Sequence, residues 1–214
     1  MALHLFVARH GETVFNAAAR MQGDTLHTPL TRRGFAQAEA MGAALRRRLG
    51  PRPELELWSS PAGRAQQTLA VIAEHLALDW HQARTDERLA EIGLGQWSGL
   101  YYRDVAAQSG APIDPATGLF IRRPPGGEWY DEIAGRLQSW LDDLPDEDAV
   151  RLVVMHGMSS RVLRGILTGA PHLAGCGVPI ATALPQGSVA EIVDGREALL
   201  DAAPGAASVD VAPP

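Results

Sequence analysis

Lysine is absent from this chain: all 19 basic residues are arginine. A P-loop, a Schiff-base enzyme and a lysine general base are thereby excluded. Cysteine is almost absent too. Cys176 stands alone, so no internal disulfide and no cysteine-based zinc site can form, nothing points to an oxidising compartment, and the residue reads as a small packing group. Long apolar runs are missing, since Leu152 to Met155 is far too short to span a bilayer, and Met1-Ala2-Leu3-His4 lacks the charged start of a secretory signal. The expectation is a cytoplasmic protein without membrane contact. Excess positive charge is missing as well: the net charge is -6, which argues against a nucleic-acid partner. There is no HExxH pair, no carboxylate cluster and no G-x-S-x-G elbow. The glycines of Gly93-x-Gly95-x-x-x-Gly99 are wrongly spaced for a dinucleotide fingerprint, and no apolar strand precedes them. Neither a metal nor a cofactor is expected.

What is present can bury a full core, for 46% of the 214 residues are hydrophobic. One domain over residues 1–201 is expected. Leu3 to Ala8 is a short apolar run ending in Arg9-His10-Gly11, which reads as a buried strand with polar residues at its carboxyl end. Thr31 is a good N-cap for a helix running to Gly50-Pro51, with Leu30 and Phe35 as a staple and Phe35, Ala38, Met41 and Leu45 on one apolar face. The pattern repeats with strand Leu55–Trp58, a Ser59-Ser60 cap, Pro61 in the first turn and a helix faced by Ala65, Leu69, Ile72 and Leu76. It repeats again with strand Arg151–Met155, His156-Gly157 and a helix faced by Val162, Leu163, Ile166 and Leu167. Strands alternating with helices predict a three-layer α/β fold, its central sheet largely parallel and covered by helices on both faces. Residues 93–127, rich in Gly, Pro and aromatics, predict a lid carrying one helix near 101–109. A helix over 128–143 and a terminal hairpin around Gly195 follow, and the Ala/Pro-rich residues 202–214 are expected to be disordered.

Three strand-to-helix junctions each carry a group suited to phosphate: Arg9 with His10, then Arg64, then His156 with Gly157 after it. Guanidinium forks bind a phosphate dianion bidentately, and helix N-termini add N–H groups and a favourable dipole. Together they make sense as one anion pocket. The remaining histidines, His4, His27, His75, His81 and His172, lack a neighbouring arginine at such a junction and read as structural. Most other arginines are expected to be solvated, with Arg46-Arg47-Arg48 at a helix C-terminus where the dipole favours cations. Trp97, Tyr101, Tyr102 and Trp129 either anchor the lid or line a substrate cleft. Arg122-Arg123 either contacts a second anionic group of the substrate or forms a solvated pair.

The run Arg9-His10-Gly11-Glu12-Thr13-Val14-Phe15-Asn16, with Arg20-Met21-Gln22-Gly23 and Pro29-Leu30-Thr31-Arg32-Arg33-Gly34, resembles the N-terminal signature of the histidine phosphatase superfamily, which includes the phosphoglycerate mutases. Ser59 to Thr68 is similar to that family's second block, Leu89 to Gly99 to its third, and Val153-Val154-Met155-His156-Gly157 to its last. The four blocks span most of the chain in the family's order. The resemblance implies a phosphoglycerate mutase-like fold and makes His10 the nucleophile that becomes phosphohistidine. It places Arg9, Arg64, His156, Asn16 and Gly157 around the phosphate, makes Glu91 the acid that protonates the leaving oxygen, and puts Gln22 and Gly23 at the pocket rim. Trp97, Arg122 and Arg123 are further candidate substrate contacts. In this chemistry two arginines and an imidazolium supply the charge that magnesium supplies elsewhere. The Glu91 role requires a carboxyl pKa raised towards working pH.

The implied activity is hydrolysis of a small phosphorylated metabolite. A bisphosphoglycerate-dependent mutase is the first alternative, disfavoured because the stretch from Glu91 to His156 lacks the longer insertion that closes a mutase site against water. A non-catalytic phospho-ligand module is the second, disfavoured because every matched catalytic position holds the expected residue. A homo-oligomer is left open.

Overall fold

A computed structural model describes residues 3–144 and 149–200; the tail expectation at 202–214 lies outside the described residues. In chain order the strands are β1 (His4–Arg9), β2 (Glu56–Ser59), β3 (Arg84–Thr85), β4 (Val150–Met155), β5 (Val189–Val193) and β6 (Arg196–Leu199). They form one sheet in the order β3-β2-β4-β1-β5-β6. β1, β2, β3 and β4 are mutually parallel, while β5 runs antiparallel to β1 and β6 antiparallel to β5. The helices are α1 (Val14–Ala17), α2 (Arg32–Leu49), α3 (Gly63–Leu76), α4 (Tyr102–Ser109), α5 (Tyr130–Asp142) and α6 (Gly157–Thr168).

Successive strand residues point to opposite faces, and a strand covered on both sides must be apolar throughout. β1 shows it: Leu5 and Val7 join a cluster with Ile133, Leu137 and Trp140 of α5 and Val162 and Leu163 of α6. Phe6 and Ala8 join Ala38, Met41 and Leu45 of α2 and Ala65, Leu69, Ile72 and Leu76 of α3. The three layers follow from this alternation. β5 and β6 meet through Asp194 and Gly195, both at positive φ, the two-residue turn that matches strand twist.

Two helix expectations need correction, and both corrections bear on the site. Phe35 does not face the core; it is 43% exposed, and the buried face of α2 is Gly34, Gln37, Ala38, Met41 and Leu45. The cause is Gly34. A Cβ there would lie 2.0 Å from the Glu12 carbonyl oxygen, and one on Gly11 would lie 2.3 Å from the Gly34 oxygen, so the two backbones touch and Phe35 turns outward. Helix α3 starts later than Pro61: its N-cap is Ala62, whose side chain makes no cap bond, and Ser60 Oγ accepts the Ala62 N–H at 3.3 Å as well as meeting His156.

The expectation of solvated arginines also fails in part. Arg151, Arg161 and Arg164 are buried. Arg151 donates to Glu56 at 2.8 Å and Arg164 to Glu197 at 2.9 Å, the pairing a buried cation needs. Arg161 of α6 instead donates to the carbonyls of Ala181 at 2.9 Å and Thr117 at 2.8 Å, which ties the lid to α6. Within the lid, Trp97, Val105, Leu119 and Phe120 pack into the same cluster as α5 and α6.

Candidate active site

The carboxyl ends of β2, β4 and β1 lie side by side, where open α/β sheets bind ligands. Arg9 is in register with Met155 and Ser59 with Val154, so the residues after each strand, His10, His156 and Ser60, converge. Main-chain bonds fix them: His10 N–H donates to Met155 O at 3.0 Å and Ser60 N–H to Val154 O at 3.1 Å. Thr68, one turn beyond Arg64 on α3, accepts the Gly11 N–H at 3.1 Å.

His10 is 3% exposed, and its Nδ1 lies 2.7 Å from Gly11 O. A carbonyl can only accept, so Nδ1 carries the proton and Nε2 keeps its lone pair in the neutral ring. Burial holds the His10 pKa well below the usual histidine range, the Arg64 and Arg9 charges lower it further, and only the Gly11 carbonyl opposes them. The ring is an imidazole with one bare nitrogen.

His156 stands edge-on to His10, ring centroids 5.1 Å apart. Its Nδ1 accepts from Arg64 Nε at 3.2 Å, so the ring proton sits on Nε2 and is donated to Ser60 Oγ at 2.7 Å. Burial, then Arg64 and His10, hold its pKa well below the usual range. Burial first, and then the neighbouring Arg64, Arg136 and Arg9 charges, therefore favour a neutral ring over the expected imidazolium.

Arg64 is likewise more constrained than a simple phosphate fork. It is fully buried, and besides His156 it donates from Nη1 to Thr25 O and Thr28 Oγ1 and from Nη2 to Gly23 O at 2.7 Å. All three nitrogens are committed, and one N–H on Nη2 has no acceptor among the described residues. Burial lowers its pKa to about 10, with Glu91 and Asp24 opposing.

Glu91 accepts at the N-terminus of α6: Oε1 from Ser159 N–H at 2.9 Å and Oε2 from Met158 N–H at 3.0 Å. Oε1 also takes the Ile92 N–H at 3.0 Å. A Cβ on Gly157 would stand 3.4 Å from Glu91 Oε2 and 3.5 Å from the Arg9 guanidinium, so glycine there keeps the space between them open. Arg9 itself donates to Leu184 O at 2.9 Å. A cavity of about 90 Å³ is lined by Arg9, His10, Glu91, Gly157, Asn16, Gln22 and Gly23, among others. Among the described residues no group of three or more His, Cys, Asp or Glu side chains is placed to hold a metal.

The pattern of the histidine phosphatase superfamily (branch 1) matches residues 5–196. The chain belongs to that superfamily. It is 32% identical over 184 residues to a probable phosphoglycerate mutase of Yersinia pestis, covering 79% of this chain and 76% of that one. It is 33% identical over 164 residues to the 6-phosphofructo-2-kinase/fructose-2,6-bisphosphatase of Caenorhabditis elegans, covering 76% of this chain but only 33% of that longer protein. Among solved structures, mycobacterial glucosyl-3-phosphoglycerate phosphatase in complex with VO3 superposes with a TM-score of 0.70 at 28% identity, covering 92% of this chain and 96% of the other.

Within this histidine phosphatase, Arg64 and His156, expected at the phosphate, are fully buried and bonded to one another, with the His156 ring edge-on to His10, and neither is among the residues that line the cavity. Three substrate candidates do not reach its lining. Trp97 is buried against Phe120, ring centroids 6.4 Å apart. Arg122 donates to the Ser109 carbonyl, and Arg123 to Gly127 O at 3.0 Å and Glu132 at 2.9 Å, so both fasten lid segments at the surface. Six residues without a firm site role in the sequence do line it: Arg20, Ile92, Leu94, Tyr102, Phe120 and Met158. The Tyr102 hydroxyl has no hydrogen-bond partner among the described residues, and burial with the Glu91 charge pushes its pKa up to about 12. Two supporting residues were missed as well. Ser60 accepts the Nε2 proton of the His156 tautomer that Arg64 sets, and Arg136 of α5 grips Glu128 at 2.7 Å together with the carbonyls of Arg88 and Glu91. In the sequence alone Ser60, within the block Ser59 to Thr68, reads as a helix cap.

Proposed function

We propose that this chain hydrolyses a small phosphomonoester without metal or cofactor, through a phosphohistidine on His10. The observation that carries the reading is the 2.7 Å bond from His10 Nδ1 to Gly11 O, which leaves Nε2 unprotonated in a cavity shared with Arg9 and Glu91. In the first step Nε2 bonds to phosphorus, the ester P–O bond breaks and Glu91 protonates the departing oxygen. In the second, water attacks phosphorus, Glu91 takes its proton, and the N–P bond breaks to release inorganic phosphate. Arg9, the free N–H of Arg64 and the α6 N-terminus at Gly157 stabilise the equatorial oxygens. His156 joins them as the arriving dianion offsets the charges that keep its ring neutral.

The similarity to a probable phosphoglycerate mutase supports a second reading, in which the phosphoryl group returns to another hydroxyl of the bound product. A panel of phosphomonoesters assayed with and without bisphosphoglycerate separates the two. Release of inorganic phosphate without the bisphosphate supports the phosphatase; isomerisation that depends on it supports the mutase. Neither reaction on any ester sinks both and leaves a phospho-ligand binding module.

A further inference from the structure

The turn before β5 reaches the nucleophile's side of the site, yet the reaction described above gives it no task. The carbonyls of Leu184 and Ser188 both accept from Arg9, one from Nη1 at 2.9 Å and the other from the main-chain N–H at 3.0 Å. Gly187 lies at φ 72°, and a Cβ on it would stand 2.6 Å from the Cβ of Gln37. Gln37 in turn accepts the Glu12 N–H at 2.7 Å. The turn is thus pressed along residues 9–12, with Gln186 at its tip. Gln186 Nε2 donates to Asn16 Oδ1 at 2.7 Å, while its bond to Gly11 O, at 3.5 Å, is long. Asn16 is its main partner.

The donors around Asn16 fix which way its amide faces. The Thr13 main-chain N–H, which can only donate, lies 3.0 Å from Asn16 Oδ1, so the amide oxygen faces Thr13 and Gln186. With both lone pairs of that oxygen taken, the Thr13 hydroxyl gives its one proton to Gln22 Oε1 at 2.6 Å. The amide nitrogens of Asn16 and Gln22 then have no acceptor among the described residues, and both side chains line the cavity of His10 and Arg9. Gln186 does not line it.

We infer that Gln186 is a positioning residue: by occupying the Asn16 oxygen it keeps the Asn16 N–H donors turned towards the phosphoryl group. The inference rests on the phosphatase reading and adds to it a residue that touches no substrate atom. A donor already aimed at the transferring group loses no orientational freedom when the substrate arrives.

The test is a double-mutant cycle on kcat/KM for a phosphomonoester that the wild type cleaves. Gln186→Met keeps the length of the side chain and removes its donor, and should lower kcat/KM about fivefold, the scale of one hydrogen bond. Asn16→Ala should lower it about tenfold or more. Adding Gln186→Met to Asn16→Ala should cost less than about twofold further, because nothing is left for Gln186 to orient. A residue that only supports the fold would lower the rate by the same factor in either background. Gln186→Leu serves if the Met variant does not fold. Multiplying effects in the double variant, or an unchanged kcat/KM in a folded Gln186 variant, overturn this inference alone. If the wild type releases phosphate from no ester in the wider panel, the phosphatase reading falls and takes the inference with it.

Discussion

Glu91 has two jobs to reconcile. It caps α6 through Met158 and Ser159, and the proposed chemistry asks it to give a proton to the leaving oxygen. The two jobs can be separated by the leaving group. Glu91→Gln should slow cleavage of an alkyl phosphate about 100-fold or more, while the nitrophenol burst from an aryl phosphate, whose leaving group needs no proton, should fall much less. Loss of the charged cap should cost about 1 kcal/mol of stability, so unfolding is measured alongside. Equal damage to the burst for both ester types would assign Glu91 a positioning role only.

At the scale of elements, the site depends on how α5 and α3 hold the loops before it. Arg136 binds the carbonyls on both sides of the turn that presents Glu91, and Glu128 orients it. Arg136→Gln should therefore lower kcat about tenfold or more with little change in KM for a small ester, because misplacing a catalytic group by a fraction of an ångström is costly. A rise in KM alone would contradict this. Much of the frame that Arg136 supports was legible in the sequence. The runs before Arg9-His10, Ser59-Ser60 and His156-Gly157 read directly as buried strands delivering polar ends, since apolar runs of that length have few other uses. The orientation of Phe35 was not legible, because it is set by the contact of Gly34 with Gly11, residues 23 positions apart. Nor was the task of Ser60, since a serine before a helix reads as a cap until the helix is seen to start at Gly63. Gln186 was hidden for a similar reason: its partner Asn16 lies 170 positions away.

For the whole molecule, two buried neutral histidines imply a cost at low pH. Both His10 and His156 have folded-state pKa values well below the ordinary 6.5, so the unfolded chain binds protons that the folded one refuses. Their contribution is fully present above about pH 6.5 and is lost as pH falls below it, at about 1.4 kcal/mol per pH unit for each histidine. Unfolding of the ligand-free protein should become easier from pH 6.5 to 5.5, and His10→Asn should lose about one histidine's share of that slope. Identical slopes for variant and wild type across this window would count against the neutral assignment of His10.

The central claim is a covalent bond between phosphorus and His10 Nε2, and trapping that bond tests it most directly. Wild-type protein mixed with a labelled phosphomonoester and quenched in base during turnover should carry acid-labile, base-stable phosphate that maps to the peptide holding His10, with or without a metal chelator. His10→Ala should carry none and should lose essentially all turnover. Substantial turnover by the alanine variant, or labelled phosphate mapped to any other residue, would contradict the account.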